Sequence, residues 1–345
     1  MLRRIARNQE TETVFNRKNL VRFKLHSFWL TTINASGGGM NSFRGRDFLR
    51  MTDFSREEVL VLLNLAAELK SGKTTVRCEQ VLGLLFKKAS TRTRVSFSVA
   101  MYQMGGQVID LNTNLTQVSR GEPAVDTARV LDRYLDVLAI RTYEQQEVDT
   151  FASAANIPVI NALTDLEHPC QVLADLLTVQ EEFGTLEDVT LTYIGDGNNV
   201  AHSLLLGCAL VGMNVRVASP EGYRPEPDIV AQAQAIAGDR TQVLVTHDPT
   251  LAAKDSQVLY TDVWASMGQE SEAENRMPLF QPYQINDQLL GVADDKAIVL
   301  HCLPAHREEE ITEAVLEGSQ SRIWDEAENR LHAQKALLAL LLGVS

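Results

Sequence analysis

From Met40 onward, short apolar runs alternate with longer stretches in which apolar positions recur every three or four residues. The short runs are Val81–Phe86, Val108–Leu111, Val137–Ile140, Ile157–Asn161, Val189–Ile194, Asn214–Ala218, Gln242–Thr246, Val258–Thr261 and Ala297–Leu300. Their length and apolar content predict strands, most of them buried on both faces. Val59, Leu62, Leu63, Ala66 and Leu69 form a helical stripe, and Ser55 followed by Glu58 predicts a capping box at its start. Helices are also predicted over Val95–Met104, Asp126–Tyr134, Pro169–Glu182, the stretch ending at Val211, and Asp325–Leu342. Pro169 stands in the first turn of its helix, where a missing N–H costs little. Strand and helix alternate, so the pattern predicts an α/β protein with two doubly wound domains, each a parallel sheet flanked by helices. The domain boundary is expected near 183–187, giving a first domain over 40–184 and a second over 185–324.

Composition narrows the partners. A chain of 345 residues, 45% hydrophobic and 22% charged, is long enough for two sizeable cores. Its net charge of -13 argues against the broad basic footprint of a nucleic-acid binder. No apolar stretch approaches the roughly 18 residues of a membrane span. Cys78, Cys170, Cys208 and Cys302 are scattered and read as free thiols in a reducing, cytoplasmic compartment. Residues 1–39 differ from the rest, with seven Lys or Arg against Glu10 and Glu12. They fit a transit peptide to an organelle matrix, a disordered basic arm, or translation begun upstream of a true start at Met40. Their low Ser content and the two glutamates favour the last.

Candidate chemistry lies where the predicted strands end, the position at which open α/β sheets bind ligands. Ser90-Thr91-Arg92-Thr93-Arg94 falls between the first strand and a helix. A helix N-terminus offers unpaired N–H groups, and hydroxyls and guanidiniums beside it suit a dianion such as a phosphoryl group. Arg141, His168 with Gln171, Asn198 with Asn199, Asp262 with Ser266, and Cys302 follow the other strands. Each has a plainer explanation when taken alone. Arg92 or Arg94 suits a surface ion pair, His168-Pro169 a helix start, Asp262 a turn cap and Cys302 a small buried apolar group. Cys170 and Cys208 read as core fillers. Their shared topological position outweighs the single explanations. Gly195-Asp196-Gly197-Asn198-Asn199-Val200 lacks the third glycine of a dinucleotide fingerprint, and the next strand ends without an acidic residue. His301 and Cys302 are neighbours on a strand and are expected on opposite faces, so neither a metal nor any cofactor is expected.

Five motifs resemble one family in order and spacing: FKKASTRTR at 86–94, HPCQ at 168–171, GDGNN at 195–199, DVWASMG at 262–268 and HCLPAHR at 301–307. The family is that of the ornithine carbamoyltransferases, and the resemblance covers 41–345. It implies a first domain for carbamoyl phosphate, a second for L-ornithine, and a last helix, 325–345, returning to the first domain. It also implies a homotrimer with shared active sites. It carries Ser90, Thr91, Arg92, Thr93, Arg141, His168, Gln171 and Arg330 to carbamoyl phosphate, with Gln117 reaching in from a neighbouring subunit. Asn199, Asp262, Ser266 and Met267 match the ornithine site, and Cys302 and Leu303 the loop that meets both substrates. Aspartate carbamoyltransferases share the phosphate motif but lack the SMG and HCLP motifs. Putrescine enzymes replace SMG, and enzymes for N-acylated ornithine differ in both loops. Ser266-Met267-Gly268 therefore favours free ornithine, and the implied reaction gives citrulline and phosphate in arginine biosynthesis or, in reverse, in arginine degradation. A non-catalytic metabolite-binding homologue, or a carbamoyltransferase for another amine such as putrescine, is the competing reading.

The chemistry fits these residues. A neutral amine attacks a carbonyl carbon and phosphate leaves. His168, Arg141 and the Thr93 hydroxyl suit the developing oxyanion. Asp262 and the Cys302 loop suit the orientation of the amine. Its proton has three exits, through Cys302, Asp262 or the departing phosphate, and the residues do not choose among them.

Overall fold

The computed structural model describes residues 42–112, 121–265 and 273–344. The extension read at 1–39, and the expected site residues Gln117, Ser266 and Met267, lie outside them. Every element below belongs to the compact unit Gly45–Ser345.

In the first half, α1 (Arg56–Lys70) leads to β1 (Val81–Phe86), α2 (Arg92–Met104), β2 (Gln107–Asn112), α3 (Ala124–Leu131), β3 (Val137–Arg141), α4 (Gln145–Ala154), β4 (Val159–Leu163) and α5 (Pro169–Phe183). The predicted capping box starts α1: the Glu58 N–H donates to Ser55 Oγ at 3.2 Å, and Glu58 Oε2 accepts from the Ser55 N–H at 2.9 Å. The strands form one parallel sheet in the order β2-β1-β3-β4. All of β3 and nearly all of β1 are buried, as a sheet covered on both faces requires. Leu85, Leu138, Ile140, Val148, Phe151 and Val159 pack together on it.

The second half runs β5 (Thr190–Ile194), α6 (Asn199–Val211), β6 (Asn214–Ala218), α7 (Pro227–Ala237), β7 (Val243–Thr246), α8 (Pro249–Ala253), β8 (Val258–Thr261), α9 (Ala273–Phe280), α10 (Asp287–Leu290), β9 (Ile298–His301), α11 (Glu313–Leu316) and α12 (Ile323–Leu342). Its strands form a parallel sheet in the order β7-β6-β5-β8-β9. Helix α12 packs back on α5, α1 and α2. Lys70 Nζ donates to Asn329 Oδ1 at 2.7 Å, and Asn329 Nδ2 donates to Thr178 Oγ1 at 3.0 Å. No described helix is long and apolar enough to cross a membrane.

Strand order reverses between β1 and β3 in the first sheet and between β5 and β8 in the second. Crossovers leave these two switch points to opposite sides, which opens a crevice at the carboxyl ends of the strands. Ser90–Thr93 follow β1, Arg141 ends β3, Asn199 follows β5 and Asp262 follows β8, whereas His168 and Gln171 follow β4 and Cys302 follows β9.

Some expected bounds move. Helix α2 starts at Arg92, not Val95, so Arg92, Thr93 and Arg94 form its first turn. The Thr93 N–H donates to Ser90 Oγ at 3.3 Å, which satisfies one otherwise unpaired donor. Strand β4 starts at Val159 because the Ile157 N–H is taken by Asp132 Oδ1 at 3.0 Å and Pro158 has no N–H to give. Helix α3 spans Ala124–Leu131 and ends short of Tyr134. Helix α7 was not expected, since its buried stripe is Ile229, Ala233 and Ala237, too small to stand out by hydrophobicity.

Candidate active site

The end of β1 and the start of α2 deliver Arg92 and Thr93 to the first crevice, and the two arginines of this loop part company. Arg94 pairs with Asp110 on β2 and lies over the Phe86 ring at 5.1 Å. It therefore has the surface ion-pair fate, and the expectation that both guanidiniums serve one anion is corrected. Arg92 has no ion-pair partner among the described residues. Thr93 is buried, and its hydroxyl accepts from Arg330 Nη2 at 2.7 Å. Arg330, also buried, donates through Nη1 to Gln171 Oε1 at 2.6 Å. Helices α2, α5 and α12 thus meet through three side chains.

Arg141 closes β3, one position before the loop, and is buried. Burial and the neighbouring Arg330 and Arg92 pull its guanidinium down to about 10, so it remains charged near neutrality. The same crowding lowers Arg330, with burial again the main cause. Three like charges gathered in a buried space are costly unless an anion joins them. His168 caps the N-terminus of α5 ahead of Pro169. Burial, then Arg330, Arg141 and Arg92, hold its imidazole well below the usual range, so it is neutral. Its Nδ1 meets no hydrogen-bond partner among the described residues. A buried neutral imidazole among cations is a ready hydrogen-bond partner for a polarised carbonyl.

The second crevice holds Asp262, just past β8. Asp262 Oδ2 accepts from Asn198 Nδ2 at 2.8 Å, and Oδ1 accepts from the Val263 N–H at 2.8 Å and the Cys302 thiol at 3.0 Å. Burial and the Asp262 carboxylate push the Cys302 thiol well above its usual range, so it stays protonated. Leu303, next in the chain, has a φ of 57°, and its N–H donates to His301 Nδ1 at 2.9 Å. A bulky residue held in the left-handed region marks a loop shaped by its surroundings. Asn199 donates through Nδ2 to the Thr164 carbonyl at 2.5 Å, tying α6 to the loop after β4.

The opposite-face expectation for His301 and Cys302 does not hold. Strand β9 ends at His301, so Cys302 is already off the strand, and ligand atoms of Asp262, His301 and Cys302 lie within 4.8 Å of one another. Both His301 nitrogens are engaged, Nε2 with Glu310 Oε1 at 2.9 Å and Nδ1 with Leu303. The Gly-rich turn has a packing purpose. A Cβ on Gly197 would sit 2.2 Å from Pro225 N, and Gly195 has a φ of +145°.

Asn198, expected beside Asn199, caps α6 with its Oδ1 while its Nδ2 aims Asp262. Sequence reasoning missed other supporting groups. Ser203 Oγ accepts from the His168 N–H at 2.9 Å and donates to Glu167 Oε2 at 3.0 Å, and the same oxygen accepts from the Met51 N–H at 3.0 Å. Asp175 and Glu326 stand behind Gln171, whose Nε2 donates to both, at 2.8 and 2.9 Å. A signal existed for these two: Asp175 is four residues after Gln171 and Glu326 four before Arg330, so each pair shares a helix face.

Comparison with known proteins agrees with this layout. The family model described as the aspartate/ornithine carbamoyltransferase carbamoyl-P binding domain matches residues 46–181, and the Asp/Orn binding domain of the same family matches 187–341. An ornithine carbamoyltransferase from Nostoc punctiforme is 72% identical over 304 residues, covering 88% of this chain and 99% of that one. One from Gloeobacter violaceus is 61% identical over 308 residues, covering 88% and 98%. The crystal structure of ornithine carbamoyltransferase from Gloeobacter violaceus matches with 57% identity and a TM-score of 0.80, over 87% of this chain and 100% of that one. The ornithine carbamoyltransferase structure from Pyrococcus furiosus matches with 47% identity and a TM-score of 0.84, over 87% and 98%. This chain belongs to the aspartate/ornithine carbamoyltransferase family, among its ornithine carbamoyltransferases.

Proposed function

We propose that this chain transfers the carbamoyl group of carbamoyl phosphate to the δ-amine of L-ornithine, giving L-citrulline and phosphate, in the direction of arginine biosynthesis. The observation that carries the reading is the gathering of Arg92, Arg141 and Arg330 beside a neutral His168, a short step from the Asp262–Cys302 pair. The guanidiniums and the N-terminus of α2 suit the phosphate dianion, and Ser90, Thr91 and Thr93 add hydroxyls. Gln171 and Leu303 complete the carbamoyl phosphate side, with Gln117 contributed by a neighbouring subunit of a trimer.

On the ornithine side, Asp262 takes the amine, and Asn199, Ser266 and Met267 hold the amino-acid end. Arg141 and His168 meet the carbonyl oxygen as it gains charge, each such contact worth about 10²–10³ in rate. The Cys302 thiol is poised as a hydrogen-bond donor, not as a thiolate nucleophile. The reading therefore involves no covalent enzyme intermediate, and rate arises from placing two substrates together. We also place the domain boundary between 184 and 185, which agrees with one sheet and one matched family domain on each side. A cytoplasmic location fits the free thiols.

The test is product formation from carbamoyl phosphate with ornithine, putrescine, aspartate and N-acetylornithine in parallel. Citrulline from ornithine, with strong preference over the other amines, is expected. Turnover of another amine in preference to ornithine would reassign the substrate. Carbamoyl phosphate binding without any turnover would point to a non-catalytic homologue.

A further inference from the structure

Behind the proposed carbamoyl phosphate residues lie two carboxyl groups that the mechanism does not use. Asp175 on α5 and Glu326 on α12 are both 0% exposed and lie within hydrogen-bonding reach of each other. Two ionised carboxylates so placed would repel in a buried space, and burial raises both. The donors around them are unequal. Glu326 receives three: Gln171 Nε2 at 2.9 Å and the Tyr260 hydroxyl at 3.1 Å on Oε1, and the His301 N–H at 2.8 Å on Oε2. Asp175 receives Gln171 Nε2 on Oδ1, and its buried Oδ2 meets no donor. A carboxylate with three donors is stabilised as the anion, whereas an oxygen without a donor is satisfied by carrying the proton itself.

We propose that Asp175 and Glu326 share one proton held on Asp175, and that the ionised Glu326 is a positioning residue that links both halves of the active site. The chain of contacts runs from Thr93 through Arg330 to Gln171, then to Glu326, and from there to Tyr260 on β8 and the His301 N–H that precedes Cys302. Gln171 can turn its oxygen to Arg330 only while its amide nitrogen has two acceptors behind it. The charged or titratable groups facing the pair are Arg330 on α12, Tyr260 on β8, Cys208 on α6, and Cys302 at the loop. The positioning role rests on the carbamoyl phosphate reading above, but the location of the proton does not.

The first measurement is a difference infrared spectrum between the wild-type protein and Asp175→Asn. A carboxylic-acid carbonyl band present in the wild type near neutrality and missing in Asp175→Asn is expected. Persistence of that band in the variant places the proton elsewhere and overturns the assignment. The second is steady-state kinetics. Glu326→Gln sets an amide nitrogen against another donor, so the KM for carbamoyl phosphate should rise about tenfold or more, with a smaller change in the KM for ornithine. Asp175→Ala should raise the carbamoyl phosphate KM, and Asp175→Asn, which keeps the hydrogen donor to Glu326, should restore most of it. Lowered thermal stability with unchanged carbamoyl phosphate KM in Glu326→Gln, or equal damage from Asp175→Asn and Asp175→Ala, refutes the positioning role. If Glu326→Gln does not fold, the Asp175 pair and the infrared band still decide. A wild-type protein that makes no citrulline would defeat the functional reading while leaving the band as an independent answer.

Discussion

Arg92 and Arg94 stand two positions apart in one helical turn and meet different surroundings. Arg94 is satisfied on the surface by Asp110, whereas Arg92 is left facing Arg141 and Arg330. Arg92→Leu should therefore weaken carbamoyl phosphate binding about a hundredfold or more, because it removes a desolvated contact to a dianion. Arg94→Leu should cost only about 0–1 kcal/mol of stability, the worth of an exposed pair. Similar carbamoyl phosphate KM values for the two variants would remove Arg92 from the site. Cys302 is held to Asp262 as a thiol, so Cys302→Ala should lower kcat with ornithine by about tenfold to a hundredfold, the worth of a hydrogen bond to a charged group. Carbamoyl phosphate affinity should change little. Unchanged ornithine kinetics would leave Cys302 a packing residue.

At the scale of elements, the turn between β5 and α6 shows how packing positions chemistry. Gly197 lies against the backbone at Pro225, and the next residue, Asn198, both caps α6 and orients Asp262. Gly197→Ala should destabilise the protein by about 1–3 kcal/mol through overpacking and raise the KM for ornithine, measured by urea unfolding and kinetics. Full stability with native kinetics would mean that the 224–225 segment yields freely. Most of these elements were legible in the sequence because buried parallel strands read as apolar runs. The fully buried β3, apolar at every position before Arg141, is the clearest case. The start of β4 was misread because Asp132, distant in sequence, takes up the Ile157 N–H, and periodicity carries no trace of that.

At the scale of the whole molecule, the halves meet through buried polar groups as well as apolar ones, and this gives stability a pH dependence. Burial holds the Glu167 carboxyl at about 7, where it joins Met51, Ser203 and, through Ser203, His168. An unfolded Glu titrates at about 4.3, so the folded protein binds this proton more tightly than the unfolded chain. The contribution is complete below about pH 4 and is lost as pH rises through about 7, on the order of 3 kcal/mol in all. Glu167→Gln, which mimics the protonated form, should gain stability relative to the wild type between about pH 5 and 8 in denaturant titrations. Parallel stability curves would show that Glu167 ionises in the fold without penalty.

The sequence by itself determined the alternation of strand and helix, the two sheets, and the placing of polar residues at strand ends. These are local properties, set by apolar runs, caps and turn residues within a few positions of one another. Its motifs also carried the family. Only the tertiary structure decided which of two neighbouring arginines faces inward, that Asn198 rather than Asn199 aims Asp262, and that His301 and Cys302 share a neighbourhood. It also brought Asp175 of α5 and Glu326 of α12 to one amide. Such choices depend on how elements separated by as many as 237 positions come together, and on burial, which turns an ordinary carboxyl or imidazole into a group with a defined charge.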